Sequence, residues 1–382
     1  MQLNNVHIMN AGEAVSINTE NGKITGIQQQ PFANAAAEIN FENAFAIPGL
    51  INSHDHLDFN CFSPFGDKKY NSYREWGHHI HQDFKEEIDD ILRVPRRLRA
   101  LWGMYKNLLA GITTVVNHGD FLHISNRLIS ILQDSQSLHS VSFQSNWKWK
   151  LNNPLLRNRL CVIHAGEGVD EQSTAEIDQL ISYNLLRRKL VGVHGVAMKA
   201  SQAEKFEALI WCPESNMVLF DKHAEVEEIR ENTVLLFGTD STLTARWNVW
   251  EHLRVARSLN KLSDEQLFES ITASPAKLWR TNAGELLPGR NADIVVIEKT
   301  PGKSGWDDVF TTNPENILLV LHQDNIRMFD KSIASQVPLN RKMFTPIIIN
   351  GRVKYVEGNL AHLVNSIHRF KAGISFPFEL CG

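Results

Sequence analysis

The 382-residue chain has only four cysteines, Cys61, Cys161, Cys212 and Cys381, scattered so widely that no Cys-x-x-Cys pair occurs. That spacing excludes a zinc ribbon and offers no disulfide framework, so reduced thiols are expected. An excess of charge of one sign is also missing, since the formal net charge is −4 with 21% charged residues. Nothing electrostatic therefore points to nucleic acid or a membrane surface as a partner. No apolar run reaches the roughly 20 residues that a membrane helix needs. Residues 1–20 lack a basic segment followed by an apolar one, which removes the signal-peptide reading. The expectation is a cytoplasmic protein whose partner is a small molecule, with no nucleic acid and no membrane. Among catalytic motifs, His-Glu-x-x-His, Gly-x-Ser-x-Gly, the Walker A loop and Gly-x-Gly-x-x-Gly are all absent, which leaves metalloprotease, serine-hydrolase and nucleotide-cofactor readings without support. Pro213 is followed by Glu214, so the Pro-Cys-x-x-Cys signature of the cytidine-deaminase fold is missing too.

What is present is a change of texture along the chain. Residues 3–27 read as short strands around the turn signals Asn10-Ala11-Gly12 and Asn21-Gly22-Lys23. The far end repeats that texture at Ala292-Asp293-Ile294-Val295-Val296-Ile297 and around the Asn350-Gly351 hairpin signal. Both ends are expected to meet in one small β-subdomain, residues 1–44 with 284–382. Between them, apolar runs alternate with helical stretches, the signature of βαβ units and a parallel sheet. Strands are predicted at 45–51, 112–116, 140–143, 160–163, 190–193, 209–211 and 234–237, and helices at 94–109, 124–132, 173–188, 201–208, 224–231 and 247–259. The fold class is α/β: residues 45–283 form a (β/α)8-type TIM barrel in which one unit is abbreviated, because residues 144–159 are too few for a full strand and helix.

The chemistry begins at Pro48-Gly49-Leu50-Ile51-Asn52-Ser53-His54-Asp55-His56, where an apolar strand ends in two histidines two residues apart. In an extended strand such positions share a face, so His54 and His56 can converge on one ion. A lone His-x-His is more often an ordinary surface or core pair. Three later apolar runs, however, also end in metal-competent side chains: Cys161-Val162-Ile163-His164, Val191-Gly192-Val193-His194, and Val234 to Phe237 followed by Gly238-Thr239-Asp240. A parallel barrel opens all its strand C-termini onto one face, which would gather these five groups at one site.

The phrase Pro-Gly-Leu-Ile-Asn-Ser-His-Asp-His-Leu resembles the first-strand motif of the amidohydrolase superfamily. The resemblance continues through Ala110-Gly111-Ile112-Thr113-Thr114-Val115-Val116, His164-Ala165-Gly166-Glu167, His194, Cys212-Pro213-Glu214-Ser215-Asn216, Gly238-Thr239-Asp240-Ser241 and the closing Ala292-Asp293-Ile294-Val295-Val296-Ile297. The His-x-x-Glu spacing of His164 and Glu167, followed by Pro213-Glu214-Ser215-Asn216, is similar to the subgroup of chlorohydrolases and guanine, adenosine-derivative and cytosine deaminases. It implies one divalent ion, zinc by preference and iron or manganese otherwise, held by His54, His56, His164 and Asp240, with Glu167 and His194 beside it and Asp240 also accepting a proton. It is compatible with a homodimer. Such a donor set leaves a position for water and brings that water's pKa near neutrality. Glu167, three residues past a ligand, is placed to shuttle a proton.

The expected reaction is hydrolytic deamination of a nitrogen heterocycle or related amidine. The alternatives are hydrolysis of a cyclic amide or an acyclic C–N bond by the same groups, or, from another class, a non-catalytic barrel used as a binding module. Lys148 and Lys150 lie too close before His164 for the strand and helix that normally separate a bridging carboxylated lysine from it, so a mononuclear site is expected. Residues 58–81, rich in aromatics and histidines, should form a long loop over the mouth, serving as a lid on a planar substrate or as packing on the rim. His78, His79 and His81 are expected at the surface, and His118 and His223 are candidates for substrate contact.

Overall fold

The computed structural model describes residues 1–9, 11–33, 37–124, 128–338 and 340–381. Asn10 of the first turn signal, and Ser125, Asn126 and Arg127 of the helix expected over 124–132, lie outside the described residues.

Both ends of the chain contribute to one ten-stranded sheet. Gln2–His7, Val15–Glu20, Lys23–Gln28 and Glu38–Pro48 supply one half, and six strands from Ile294–Glu298 to Glu379–Leu380 supply the other. Neighbours are antiparallel except Gln2–His7 with Glu38–Pro48, which run parallel. The eleven-residue strand Glu38–Pro48 joins the halves by pairing with Ile294–Glu298, Pro48 opposite Ile294 and Ala44 opposite Glu298. Gly49 then turns the chain into Leu50–Asp55. A Cβ there would sit 2.3 Å from Thr113 Oγ1, so glycine leaves the room that the buried Thr113 side chain fills.

Leu50–Asp55 opens the parallel part of the molecule, which contains the strands that end in His54, His164 and His194. It pairs in parallel with Ile112–Asn117, which pairs with Ser130–Leu132. A second parallel set runs Gln136–Leu138, Cys161–Ala165, Leu190–His194, Ala208–Trp211 and Val234–Phe237. Cys161–Ala165 and Leu190–His194 are buried throughout, the pattern of strands covered on both faces. The register sets Val193 opposite His164 and His194 opposite Ala165, which brings the two imidazoles to the same end of the sheet. Hydrogen bonds also cross from the last strand's end to the first: Thr239 N and Asp240 N donate to His54 O at 3.1 and 3.0 Å, and Phe237 N and Ile51 N donate to Ser270 O and Ile271 O.

The structure corrects the sequence reading in the middle of this set. No strand forms at 140–143; the pairing belongs to Ser130–Leu132 and Gln136–Leu138, separated by only residues 133–135. One extended stretch thus pairs with Ile112–Asn117 in its first half and with Cys161–Ala165 in its second, and no helix intervenes. Part of the helix expected over 124–132 is therefore strand. The shortened unit lies here, ahead of residues 144–159, which hold the short helix Trp147–Leu151 and a 3-10 turn. The helix expected over 173–188 is Glu171–Ser182, started by Asp170, whose carboxylate accepts from Ser173 N at 2.8 Å and fixes the beginning two residues early.

Arg96–Leu109 packs against the first strand's exit, and within it Gly103 lies so close to Leu57 that a Cβ would come 2.1 Å from the Leu57 carbonyl oxygen. Among the described residues no helix is long and apolar enough to cross a membrane. Gly103→Ala is expected to push the helix off residue 57 and to destabilise the fold by about 1–3 kcal/mol. Urea unfolding measures this, and an unchanged midpoint would contradict the packing described.

Candidate active site

Strand alternation decides which side chains enter the site. On Leu50–Asp55, His54 faces the ends of the other parallel strands, while Asp55 points the opposite way, towards Arg96–Leu109. His54 Nε2 lies 3.2 Å from His164 Nε2, and Asp240 Oδ1 lies 3.8 Å from His54 Nε2 and 3.7 Å from His56 Nε2. Two groups of donor atoms, His54 with His164 and His194 and His54 with His56 and Asp240, each fall within 4.8 Å of one another. His54, His56, His164, His194 and Asp240, which the sequence assigned to metal and catalysis, are thereby brought together, and Glu167 joins them beside His194.

Charge is scarce in this cluster. Burial, reinforced by the neighbouring imidazoles, pushes His54 and His164 well below the usual histidine range, so both rings are neutral. Their Nδ1 atoms are buried without a hydrogen-bond partner among the described residues. Two neutral rings whose Nε2 atoms face each other at 3.2 Å, with a carboxylate oxygen close by, are the donor arrangement that a divalent cation satisfies.

Burial alone would raise the Asp240 carboxyl, but His194 and His56 beside it, with hydrogen bonds from Thr244 and Ser215, outweigh burial and hold it below the ordinary value. Those bonds, Ser215 Oγ and Thr244 Oγ1 to Oδ2 at 3.0 and 2.9 Å, leave Oδ1 directed at the imidazoles. Glu167 moves the other way. Its burial, with Asp240 and Glu176 near it, raises its carboxyl well above the ordinary value. The two acidic groups of the site are thus driven apart in proton affinity. Glu167 Oε1 lies 3.6 Å from His194 Nε2. His194, held to about 4 by burial, is neutral, and Asn216 Nδ2 donates to its Nδ1 at 2.9 Å, which leaves its proton on Nε2, facing Glu167. His194 and Asp240 both have left-handed backbone, φ 73° and 56°. Such conformations cost side-chain-bearing residues energy and persist where packing imposes them.

Several participants are invisible in the motifs. Asp55, between the two first-strand histidines, is fully buried with Lys106, whose Nζ lies 2.9 Å from Asp55 Oδ2. The same oxygen accepts from Asn107 Nδ2 at 2.7 Å, Asp55 Oδ1 accepts from Asn60 at 2.8 Å, and Asn52 links the group to Thr239 Oγ1 at 2.7 Å. A polar lattice therefore braces the strand that carries His54 and the turn that carries Asp240. Lys106 and Asn107 interrupt the apolar run of Arg96–Leu109, the one hint the sequence carried. His118 sits inside the cluster, its ring centroid 4.7 Å from His164 and 5.0 Å from His54. His139, held to about 4 by burial, reaches it at 5.2 Å from His164. The misplaced strand at 140–143 concealed His139.

Other candidates lie elsewhere. His223 Nδ1 bonds the Ala224 carbonyl, His79 pairs with Asp67 and Asp83, and Lys148 stacks 3.7 Å above the Tyr183 ring. Residues 58–81 are less a loop than a cover: they include most of the helix Tyr73–Asp83, and Val169 N donates to Asn71 O at 2.7 Å while Tyr73 N donates to Glu167 O at 3.0 Å. Beneath this cover is a cavity of about 290 Å³ reaching from Trp76 and Phe143 down to His56, Glu167 and Asp240.

Lys106→Met leaves the Asp55 carboxylate buried without its counter-charge, and a loss of about 3–5 kcal/mol is expected in urea unfolding. A change below about 1 kcal/mol would show that the lattice does not depend on the ion pair.

The sequence model of the Amidohydrolase family matches residues 158–351. A 5'-deoxyadenosine deaminase of Methanococcus aeolicus is 30% identical over 158 residues, 36% of this chain; the match spans 37% of that relative's length. Among solved structures, an adenosine deaminase from Xanthomonas campestris with bound zinc superposes with a TM-score of 0.70 at 14% identity, covering 98% of both chains. A guanine deaminase from C. acetobutylicum with bound guanine gives a TM-score of 0.65 at 12% identity, covering 85% of this chain and 99% of the other. At such identities the structural likeness speaks for the fold, and the family match, which takes in half of the chain, speaks for descent: this protein belongs to the amidohydrolase family.

Proposed function

We propose that the chain is a mononuclear, metal-dependent aminohydrolase that removes an amino group, as ammonia, from a nitrogen heterocycle or related amidine. The observation that carries this reading is the imidazole cluster, neutral at His54, His164 and His194, with one ionised carboxylate, set beside a second carboxyl of raised proton affinity at the floor of the cavity. The deaminase names of the relatives support the same reading. The parallel strands are taken as a distorted (β/α) barrel over residues 45–283, with residues 1–44 and 284–382 as its β-subdomain.

His54, His56, His164 and Asp240 would hold the ion, zinc by preference with iron or manganese as alternatives. When bound, such an ion supplies Lewis acidity, lowering the pKa of water towards neutrality and drawing charge from the reacting group. The chain's own residues supply the proton traffic. Glu167 takes the proton from the attacking water and passes it to the departing amine, a role that suits a carboxyl whose proton affinity is raised by burial. His194 donates from Nε2 to a heteroatom of the substrate, its tautomer set by Asn216. Asp240, kept ionised, takes the second proton of the water once its oxygen has added and returns it to the ring nitrogen next to the reacting carbon as the C–N bond breaks, while Ser215 and Thr244 hold its orientation. The water oxygen bonds to the carbon, the C–N bond breaks, and ammonia leaves.

The purified protein is expected to contain about one divalent ion per chain, with His56→Ala and Asp240→Ala losing most of it by elemental analysis. Metal-free protein, or content indifferent to both changes, would falsify the site. Glu167→Gln should keep the ion yet lower kcat for ammonia release by roughly 10²–10⁴-fold; retained turnover would remove Glu167 from the mechanism.

A further inference from the structure

The cavity walls carry information about the substrate that the relatives' names do not. Above the polar floor the surface is formed by Phe59, Phe62, Trp76, Ile80, Ile88 and Phe143. The polar atoms on this wall are already committed: Trp76 Nε1 donates to the Phe65 carbonyl at 2.9 Å, and Tyr73 OH donates to Glu176 at 3.1 Å. Arg74, next in sequence to Tyr73, is turned to Asp170, 2.8 Å from both of its oxygens, and to Glu176. Among the described residues no lysine or arginine lines the cavity; the polar side chains above its floor are His81 at the exposed rim and His139, whose ring lies 5.6 Å from that of Phe143 and whose Nδ1 pairs with Ser140 Oγ at 3.1 Å.

A sugar placed against this wall would exchange its hydroxyls' bonds to water for two imidazoles at most, those of His81 and His139, and a buried donor or acceptor left unpaired is penalised strongly. A phosphate or carboxylate would find no counter-charge there. An alkyl or aryl substituent loses nothing and gains dispersion and transfer free energy against the aromatic rings. The cavity, at about 290 Å³, also sits at the lower edge of ligand pockets in general.

We infer that the substrate is a compact, uncharged heterocycle bearing an apolar substituent, held with its amino-bearing carbon on the floor and the substituent against Phe59, Phe62, Trp76 and Phe143, and that nucleosides and nucleotides are excluded. This rests on the aminohydrolase reading for its chemistry and departs from the adenosine-type substrates in the names of the relatives. The floor recognises the reacting amidine and the wall selects what is attached to it.

The test uses the full chain reconstituted with zinc and matched compounds that share one reacting ring: 9-propyladenine, adenosine and adenosine 5'-monophosphate, and in parallel 1-propylcytosine and cytidine. For the ring that reacts, kcat/KM for ammonia release should favour the propyl compound over its nucleoside by about 10²-fold or more, the scale on which an apolar pocket rejects an added hydroxyl, with no measurable turnover of the nucleotide. Equal or greater turnover of the nucleoside overturns the inference while leaving the aminohydrolase reading intact. Ammonia from none of the five counts against the aminohydrolase reading, and calorimetric binding to Glu167→Gln protein then decides the pocket separately. Tighter binding of a propyl compound than of its nucleoside, by tenfold or more, upholds the inference; equal binding, the reverse order, or no binding of either propyl compound overturns it.

Discussion

Two uncharged imidazoles with their Nε2 atoms 3.2 Å apart, sealed from water among further histidines, form the constraint to which much of this structure answers. Neutral rings at that distance must share a proton or a cation. Reaching it requires three strands to deliver side chains to one point, which the parallel register does by setting Val193 against His164 and by bonding Asp240 N and Thr239 N to the His54 carbonyl. It also requires left-handed backbone at His194 and Asp240, conformations an unconstrained chain would leave.

The cost of burying so much polarity explains how the neighbourhood is furnished. Asp240 has one oxygen occupied by Ser215 and Thr244 and the other free to face the histidines. Asp55 has both oxygens filled by Lys106, Asn107 and Asn60, so a carboxylate between two candidate ligands is kept out of the cluster and made part of its support. Among the described residues, what remains without a partner here includes Nδ1 of His54 and His164 and Oδ1 of Asn216. Opposite proton affinities at Glu167 and Asp240 arise from the balance of partners, since donors and imidazoles outweigh burial at Asp240 whereas burial and the neighbouring acids outweigh Arg74 at Glu167.

The cover over the cavity is tied to the chemistry. Residues 71–73 bond to the backbone of residues 167–169, with an isolated bridge between Ser72 and Gly168, so the helix that carries Trp76 and Ile80 is anchored to the turn that carries Glu167. Apolar enclosure strengthens the electrostatics of the floor by excluding water. The aromatic segment therefore covers the cavity and supplies part of its wall.

The sequence by itself determined the parts governed by local pattern: an α/β chain, β-texture at both ends, apolar strands ending in His54, His164, His194 and Asp240, and the identity of the groups that meet. Strand alternation and strand-end placement are short-range rules, so these were legible. Tertiary structure alone decided the rest. Ser130–Leu132 and Gln136–Leu138 are too short and too polar to announce themselves, and they are strands because Ile112–Asn117 and Cys161–Ala165 offer them partners. Asp55 and Lys106 are 51 residues apart, His139 comes to the site from just past Gln136–Leu138 and Asn216 from within the helix Pro213–Phe220, pairings no periodicity encodes. Side-chain chemistry is written in the chain, but which polar atoms are spent on one another, and which are left for a ligand, is settled only when folding removes the water.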